Sequence, residues 1–387
     1  MEKYYSVFKI IQSSLWGLPL DIEITEDDFD EMKKHAIESL AFGVLSEFKT
    51  TDVLRRKWKD HCLRQLILYT NYIHAESKLN ITVPYVILKG TSAAQYYPYP
   101  SYRMMGDIDI MTRKDDFSKA YEDLLQNGYV EIKTLEREIS FIKNGIVVEL
   151  HRHFAALNNP IQAEYLDNKI INNITPTHVL PDMINGLVLL EHISQHMEHG
   201  IGLRQIIDWM MFVDKCLPDS KWHNFKYMAE EIGLLKLAIT VTRICEIYMG
   251  LSRREWCADA DEDLCNELLE YICACGNFGY KQKDESAISE RAFIHMRNPV
   301  STIRLLQKRG TINWKLAKKC AFFRPLAWLY QAVRYSFKGL SREKALTKLY
   351  MEYRIAKKRK NMFDALGIIQ ASKGSVVLKD GKYIKEL

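Results

Sequence analysis

Cysteine is scarce: eight in 387 residues, too few to staple a disulfide scaffold. No apolar run reaches the ~18 residues that a membrane span needs. Met1-Glu-Lys-Tyr-Tyr5 leads into a short mixed stretch without a small-residue cleavage site, so no signal peptide is expected. These absences point to a cytoplasmic protein with no transmembrane segment. No Gly-x-Ser-x-Gly elbow or P-loop is present. Cys257, Cys265, Cys273 and Cys275 contain no Cys-x-x-Cys pair, and their spacing fits buried helix positions better than a zinc set. Internal repeats and low-complexity tracts are also missing.

Acidic residues are nearly absent from one stretch. Arg304–Lys360 holds 17 Lys/Arg but only Glu343 and Glu352. The whole chain has a formal charge of +5, so the mild total hides a segment of +15 and a remainder of −10. Such asymmetry suggests a polyanion partner. Ala321-Phe-Phe-Arg-Pro-Leu-Ala-Trp-Leu-Tyr330 interleaves aromatics with cations. The segment 304–360 therefore suits a nucleic acid, an anionic membrane surface, or a solvated helix pair that steers an anionic substrate. A hydrophobic fraction of 47% with 27% charged residues argues against disorder.

Residues 1–80 carry apolar residues at helical spacing, over Asp27–Phe48 and Thr51–Leu79, with Thr50 and Thr51 as caps. Neither Gly nor Pro occurs between Val44 and Thr82. The texture changes at Pro84. Tyr85–Lys89 reads as a buried strand, Thr91–Tyr97 as a helix and Asp107–Met111 as a half-buried strand. Asp115–Asn127 reads as a helix ended by Gly128, and Tyr129–Lys133 as a short strand. Glu138–Lys143 and Ile146–His151 flank Asn144-Gly145, a strong hairpin signal. From Leu180 to about Ala371 the pattern is helical, interrupted by a polar loop at Lys281–Glu290. A second hairpin is expected at Val376–Ile384. The class is α+β: a small mixed sheet embedded in a mostly helical chain. The divisions are a helical region at 1–80, an α/β core at 81–175, a helical domain at 176–371 and a tail at 372–387.

Asp107 and Asp109 are two apart on a strand and share a face. Paired carboxylates repel unless a cation lies between them, and hard oxygen ligands suit Mg²⁺. In a chain with 49 acidic residues an Asp-x-Asp also arises easily as a solvated strand end. Two further features favour chemistry. Gly90-Thr91-Ser92 follows a strand, where a glycine lets the backbone approach a phosphate. Glu149 lies inside the apolar run Ile146–His151 and needs a partner or a metal. The other reading of Glu149 is a buried ion pair with Arg152 or Arg103. Lys89 and Arg103 suit phosphate contacts. They serve equally as a packed stem and as an ion pair with the acids.

Lys89-Gly90…Tyr97…Arg103…Gly106-Asp107-Ile-Asp-Ile110, then Gly128-Tyr129 and Val148-Glu-Leu-His151, resembles the uncharacterised bacterial nucleotidyltransferase family of the DNA-polymerase-β-like superfamily. His192…His196…His199-Gly200-Ile-Gly-Leu-Arg-Gln205…Asp208-Trp209 resembles that family's helical half. The resemblance implies a mixed-sheet nucleotidyltransferase fold, two Mg²⁺ ions and transfer of a nucleoside monophosphate from an NTP. It implies Asp107, Asp109 and Glu149 as catalytic and metal-binding acids, and Gly90 with its neighbours as the phosphate turn. The chain departs from the superfamily's usual Gly-Gly or Gly-Ser turn, because Thr91 follows Gly90 and Ser92 comes one place later.

His192, His196 and His199 share a helix face, which suits packing on the sheet domain, a pocket wall or, less well, zinc. His151, His192, His196 and Arg204 are candidates for the pocket wall. Arg204 and Asp208, four apart, are spaced to pair. The function expected is Mg²⁺-dependent nucleotidyl transfer to a hydroxyl on a small molecule, saccharide, protein or RNA. The alternatives are an inactive nucleotide- or nucleic-acid-binding protein, or a helical interaction scaffold.

Overall fold

A computed structural model describes residues 2–197, 199–279, 303, 306, 307, 310, 311, 313–340, 345–368, 376–379 and 382–385. The chain divides into two compact units, 1–281 with 366–387, and 282–365. The first unit holds a mixed sheet of strands β1 (Tyr85–Leu88), β2 (Ile108–Thr112), β3 (Val130–Thr134), β4 (Glu138–Lys143) and β5 (Ile146–His151), in the order β1-β2-β5-β4-β3. β2 and β5 run parallel; the other neighbours are antiparallel.

The hairpin β4–β5 turns at Asn144 and Gly145, with φ of 51° and 78°. A two-residue turn with both φ positive matches strand twist, and Asn-Gly tolerates it. That turn sets the register, placing Ser140 opposite Glu149 and Glu138 opposite His151. Alternation then separates two faces. Ile108, Ile110, Val148 and Leu150 bury one face with Phe141, against Ala120 and Leu124 of helix α5 (Phe117–Gln126) and Tyr72 of helix α3 (Asp52–Glu76). Asp109, Glu149 and His151 alternate with them and so occupy the other face.

The α-helices described in this unit are α1 (Tyr5–Trp16), α2 (Glu26–Lys34), α3, the five-residue α4 (Gly90–Ala94), α5, α6 (Pro160–Ile171), α7 (Asp182–Met197), α8 (Leu203–Cys216), α9 (Asp219–Glu231), α10 (Leu235–Met249) and α11 (Glu262–Cys275). Together with the mixed sheet they make an α+β protein. Thr51 caps α3, its side chain accepting from the Leu54 N–H. The expected helix over Asp27–Phe48 is interrupted: α2 stops near Ala36, whose φ is 55°, and a 3₁₀ run spans Glu38–Glu47. His35 at this break is fully buried and accepts a hydrogen bond from the Leu203 N–H at the start of α8 (3.2 Å). The helix expected over Thr91–Tyr97 shrinks to α4, because Pro98 and Pro100 stop its extension.

The tail contains a hairpin of β6 (Val376–Lys379) and β7 (Lys382–Lys385). In the second unit, helices span Lys315–Lys319, Ala327–Leu340 and Ala345–Ala365, and the Trp314 and Tyr330 rings stack at 5.1 Å. The polar loop expected at Lys281–Glu290 lies outside the described residues. Among those described, no helix is long and apolar enough to cross a membrane.

Candidate active site

Asp107 immediately precedes β2, Asp109 lies within it, and Glu149 and His151 sit on the neighbouring β5. The parallel register places Asp109 beside Glu149 and Met111 beside His151. Strand β1 ends at Leu88. Alternation would send Lys89 to the apolar face, but the chain turns there, with φ of 54° at Lys89 and 37° at Gly90. The first value is uncommon for a residue with a Cβ. The turn lets Lys89 Nζ reach Asp109 Oδ1 at 2.7 Å, and His151 Nε2 meets the same oxygen at 2.8 Å.

These residues line a cleft of about 270 Å³. The sheet contributes Asp107, Asp109, Glu149, His151 and Glu138, and the turn contributes Lys89 and Gly90. Helices α7 and α8 supply His192, Gln195, His196 and Arg204, and Arg103 and Arg137 also line it. Acids therefore gather on the sheet side, with the Lys89 cation on the turn and the Arg204 cation on α8.

Asp109 is 1% exposed. Burial pushes its carboxyl up, but the Lys89 ammonium and the His151 hydrogen bond outweigh it and hold it at about 2. Asp107 is pushed up by the charge of Asp109, and then by burial. Burial, with the charges of Asp109 and Asp107, raises Glu149 to about 7. On the wall, burial drives His192 well below its ordinary value and His196 down to about 3. The wall imidazoles are thus neutral at pH 7.

Three observations bear on whether a cation fits. Asp109 Oδ2 is buried and has no hydrogen-bond partner among the described residues, which is costly unless something fills its lone pairs. Ligating atoms of Asp109, Glu149 and His151 lie within 4.8 Å of one another. Carboxylate oxygens with an imidazole form a donor set for a divalent ion. The residues therefore fit such an ion.

Lys89 and Gly90 line the cleft, but Thr91 donates to both Glu76 carboxylate oxygens at 2.8 and 2.9 Å. Ser92 is buried outside the lining, its carbonyl accepting from Asn185 Nδ2 at 3.0 Å. Arg103 lines the cleft, yet its guanidinium is bidentate on Asp208, with Nε to Oδ1 at 2.8 Å and Nη2 to Oδ2 at 2.7 Å. Tyr97 donates to the same Oδ1 at 2.7 Å. Asp208 thus answers Arg103 across the fold, where helix spacing had pointed to Arg204. Arg204 donates to the Met104 carbonyl at 3.2 Å. Glu149 meets Ser140 Oγ at 3.4 Å, in place of the arginines weighed from sequence. The His192 and His196 rings meet edge to face at 4.6 Å. His199 is not among the lining residues.

Arg137, Glu138 and Gln195 line the cleft without having been singled out from the sequence. Hairpin arithmetic about Asn144-Gly145 could have found Glu138, since it pairs Glu138 with His151. Beneath them, Asp167 accepts from the Phe154 and Ala155 N–H groups at 3.0 and 2.9 Å. Glu191 accepts from the Ala156 N–H at 2.7 Å. The two acids pin the chain just after His151, and Phe154 lies 5.7 Å from Lys89 Nζ.

The mixed sheet thus sets clustered acids, which could hold a cation, opposite a helical wall of imidazoles and Arg204. The chain belongs to a family of uncharacterised nucleotidyltransferases, which matches it over residues 30–250. That span contains every lining residue of the cleft. No curated protein and no solved structure matches the chain.

Proposed function

We propose that the protein transfers a nucleoside monophosphate from an NTP to an acceptor hydroxyl, in a divalent-ion-dependent reaction for which Mg²⁺ suffices. The observation that carries this reading is the convergence of Asp107, Asp109 and Glu149 on one cleft in a nucleotidyltransferase of this family. Asp107 and Asp109 would hold the ions. Glu149 completes the trio as ligand or as acceptor of the hydroxyl proton. A divalent ion there neutralises charge developing on the transferring phosphate.

The acceptor oxygen attacks the α-phosphorus as the bond from that phosphorus to the bridging oxygen breaks. Pyrophosphate leaves with the bonding electron pair, and the hydroxyl proton passes to Glu149 or to water. Lys89, Arg137 and Arg204 face the polyphosphate, and the Gly90 backbone lets it approach closely. Thr91, Ser92 and Arg103 serve the turn and the wall rather than the phosphates. Helices α7 and α8 form the acceptor side. The acceptor is a small molecule, saccharide, protein or RNA, and the basic segment 304–360 is a surface for a polyanionic one.

The test is thermal stability with each NTP, with and without Mg²⁺, for wild type and Asp109→Asn. Ligand at 100 times Kd stabilises by about 2.7 kcal/mol. Metal-dependent stabilisation lost in the variant, with pyrophosphate released on adding acceptor, supports transfer. No shift with any NTP overturns it.

A further inference from the structure

The cleft contains a nitrogen donor that three carboxylates alone do not explain. His151 Nε2 stands 2.8 Å from Asp109 Oδ1 and 3.9 Å from Glu149 Oε2. On an ion with bonds of about 2.1 Å, ligands at right angles lie about 3 Å apart and opposite ligands about 4 Å apart. Both separations fall in that range. The Asp109 oxygen without a partner among the described residues, Oδ2, leaves lone pairs for the same ion. His151 itself is 3% exposed, so its ring is held by the fold.

The far side of the ring points the same way. His151 Nδ1 has no hydrogen-bond partner among the described residues, and Glu138 Oε2 stands 3.6 Å from it. The β4–β5 register places Glu138 directly opposite His151. With an ion bound, a carboxylate behind Nδ1 would keep a proton there and leave the Nε2 lone pair for the metal, the usual support of a ligating histidine; without the ion, Nε2–H donates to Asp109. Were His151 only a neutral donor to Asp109, the proton would sit on Nε2, and Nδ1 would face the Glu138 carboxylate lone pair to lone pair.

We infer that His151 Nε2 is a ligand of the ion held by Asp109 and Glu149, oriented by Glu138, and that this position takes Mn²⁺ or Co²⁺ in preference to Mg²⁺. Imidazole is a softer donor than carboxylate or water and favours transition-metal ions. This rests on the metal-site reading above and deepens it by naming the class of ion.

The experiment uses Mn²⁺ and Mg²⁺ on the full chain, without nucleotide, by titration calorimetry and pulsed electron paramagnetic resonance. Wild type is expected to bind Mn²⁺ at least about tenfold more tightly than Mg²⁺, with a nitrogen coupling in the Mn²⁺ spectrum. In His151→Gln, whose amide still donates to Asp109, Mn²⁺ affinity should fall about tenfold or more and the coupling should vanish. Mg²⁺ affinity should change less than about threefold. Glu138→Gln should weaken Mn²⁺ but keep the coupling. Mn²⁺ bound by oxygen alone in wild type, or a coupling that survives His151→Gln, overturns the inference and leaves the carboxylate site standing. If Asp109→Asn binds as well as wild type, or nothing binds, the metal site itself falls. The wild-type spectrum needs no variant to fold.

Discussion

Lys89 and Asp109 form a buried ion pair, Nζ to Oδ1 at 2.7 Å, at the point where β1 turns away from the sheet. The pair holds a carboxylate ionised in a place that would otherwise favour the neutral acid. It also occupies one oxygen of Asp109 and leaves the other open. Without a metal, the charge of Asp109 is thus balanced by this lysine.

Lys89→Met should therefore weaken the metal-free protein by about 3–5 kcal/mol, because breaking a buried pair strands the remaining charge. The continuing His151 hydrogen bond puts the expectation at the lower end. Urea denaturation measures it. A divalent ion should restore more stability to the variant than it adds to wild type, since a cation then replaces the ammonium. Equal gains in both proteins would mean that Lys89 does not compensate Asp109.

Arg103 and Asp208 offer a sharper test of roles. Their two hydrogen bonds, both buried, tie the loop before β2 to helix α8. Asp208→Asn should cost about 3–5 kcal/mol in stability, and Arg103→Ala a similar amount. The double variant should cost much less than the sum of the two. Nucleotide affinity of whatever remains folded at low temperature should change little. A phosphate-binding Arg103 predicts the reverse, with lost affinity at nearly unchanged stability.

Much of the sheet could be read from local signals. Asn144-Gly145 fixes a hairpin register within six residues on either side, and the period of two in Ile108–Thr112 separates Asp109 from the core. Partners distant in the chain were less legible. Arg103 meets Asp208 105 positions away, a pairing that no periodicity encodes, whereas Arg204 and Asp208 sit at tempting helical spacing. Lys89 shows why alternation fails at a strand end: one positive φ sends its side chain to the opposite face. The Ala36 break in Asp27–Phe48 was hidden for a similar reason, since helix propensity is a weak prior that tertiary packing at His35 overrides. The acids of the cleft were accessible because polar residues inside apolar strands need a physical reason.

Glu191 makes a pH prediction with a definite sign. Burial raises its carboxyl to about 8, so the folded protein keeps a proton that the unfolded chain releases from about pH 4.5 upward. Rising pH thus favours unfolding across that window. His192 and His196 act oppositely, because their lowered values make stability rise with pH until their unfolded-state value is passed, near 6.5. The clearest interval is pH 7–8, above the unfolded-state value of the histidines. There wild-type stability should fall, and Glu191→Gln, whose side-chain oxygen still accepts from Ala156, should fall less steeply. The difference should be at most about 1.4 kcal/mol per pH unit. Identical slopes by urea denaturation at stepped pH would show that Glu191 is already ionised in the fold.

The acids themselves should separate by role. Asp109→Asn removes the carboxylate paired with both Lys89 and His151, and should lower pyrophosphate release at least about a thousandfold, roughly 4 kcal/mol of transition-state stabilisation. Asp107→Asn should have a comparable effect on turnover but a smaller effect on folding. Its carboxyl is pushed up by the neighbouring Asp109 charge, so neutralising it relieves a repulsion in the metal-free state. Asp107→Asn should hence be as stable as wild type or more so without metal, and should gain less from added divalent ion. Glu149→Gln should behave likewise, since burial and the charges of Asp109 and Asp107 raise Glu149. Turnover and metal-free stability would then move in opposite directions for these two variants, the mark of charges held together for a cation and not for the fold. If either variant is destabilised without metal and keeps its turnover, that acid is structural.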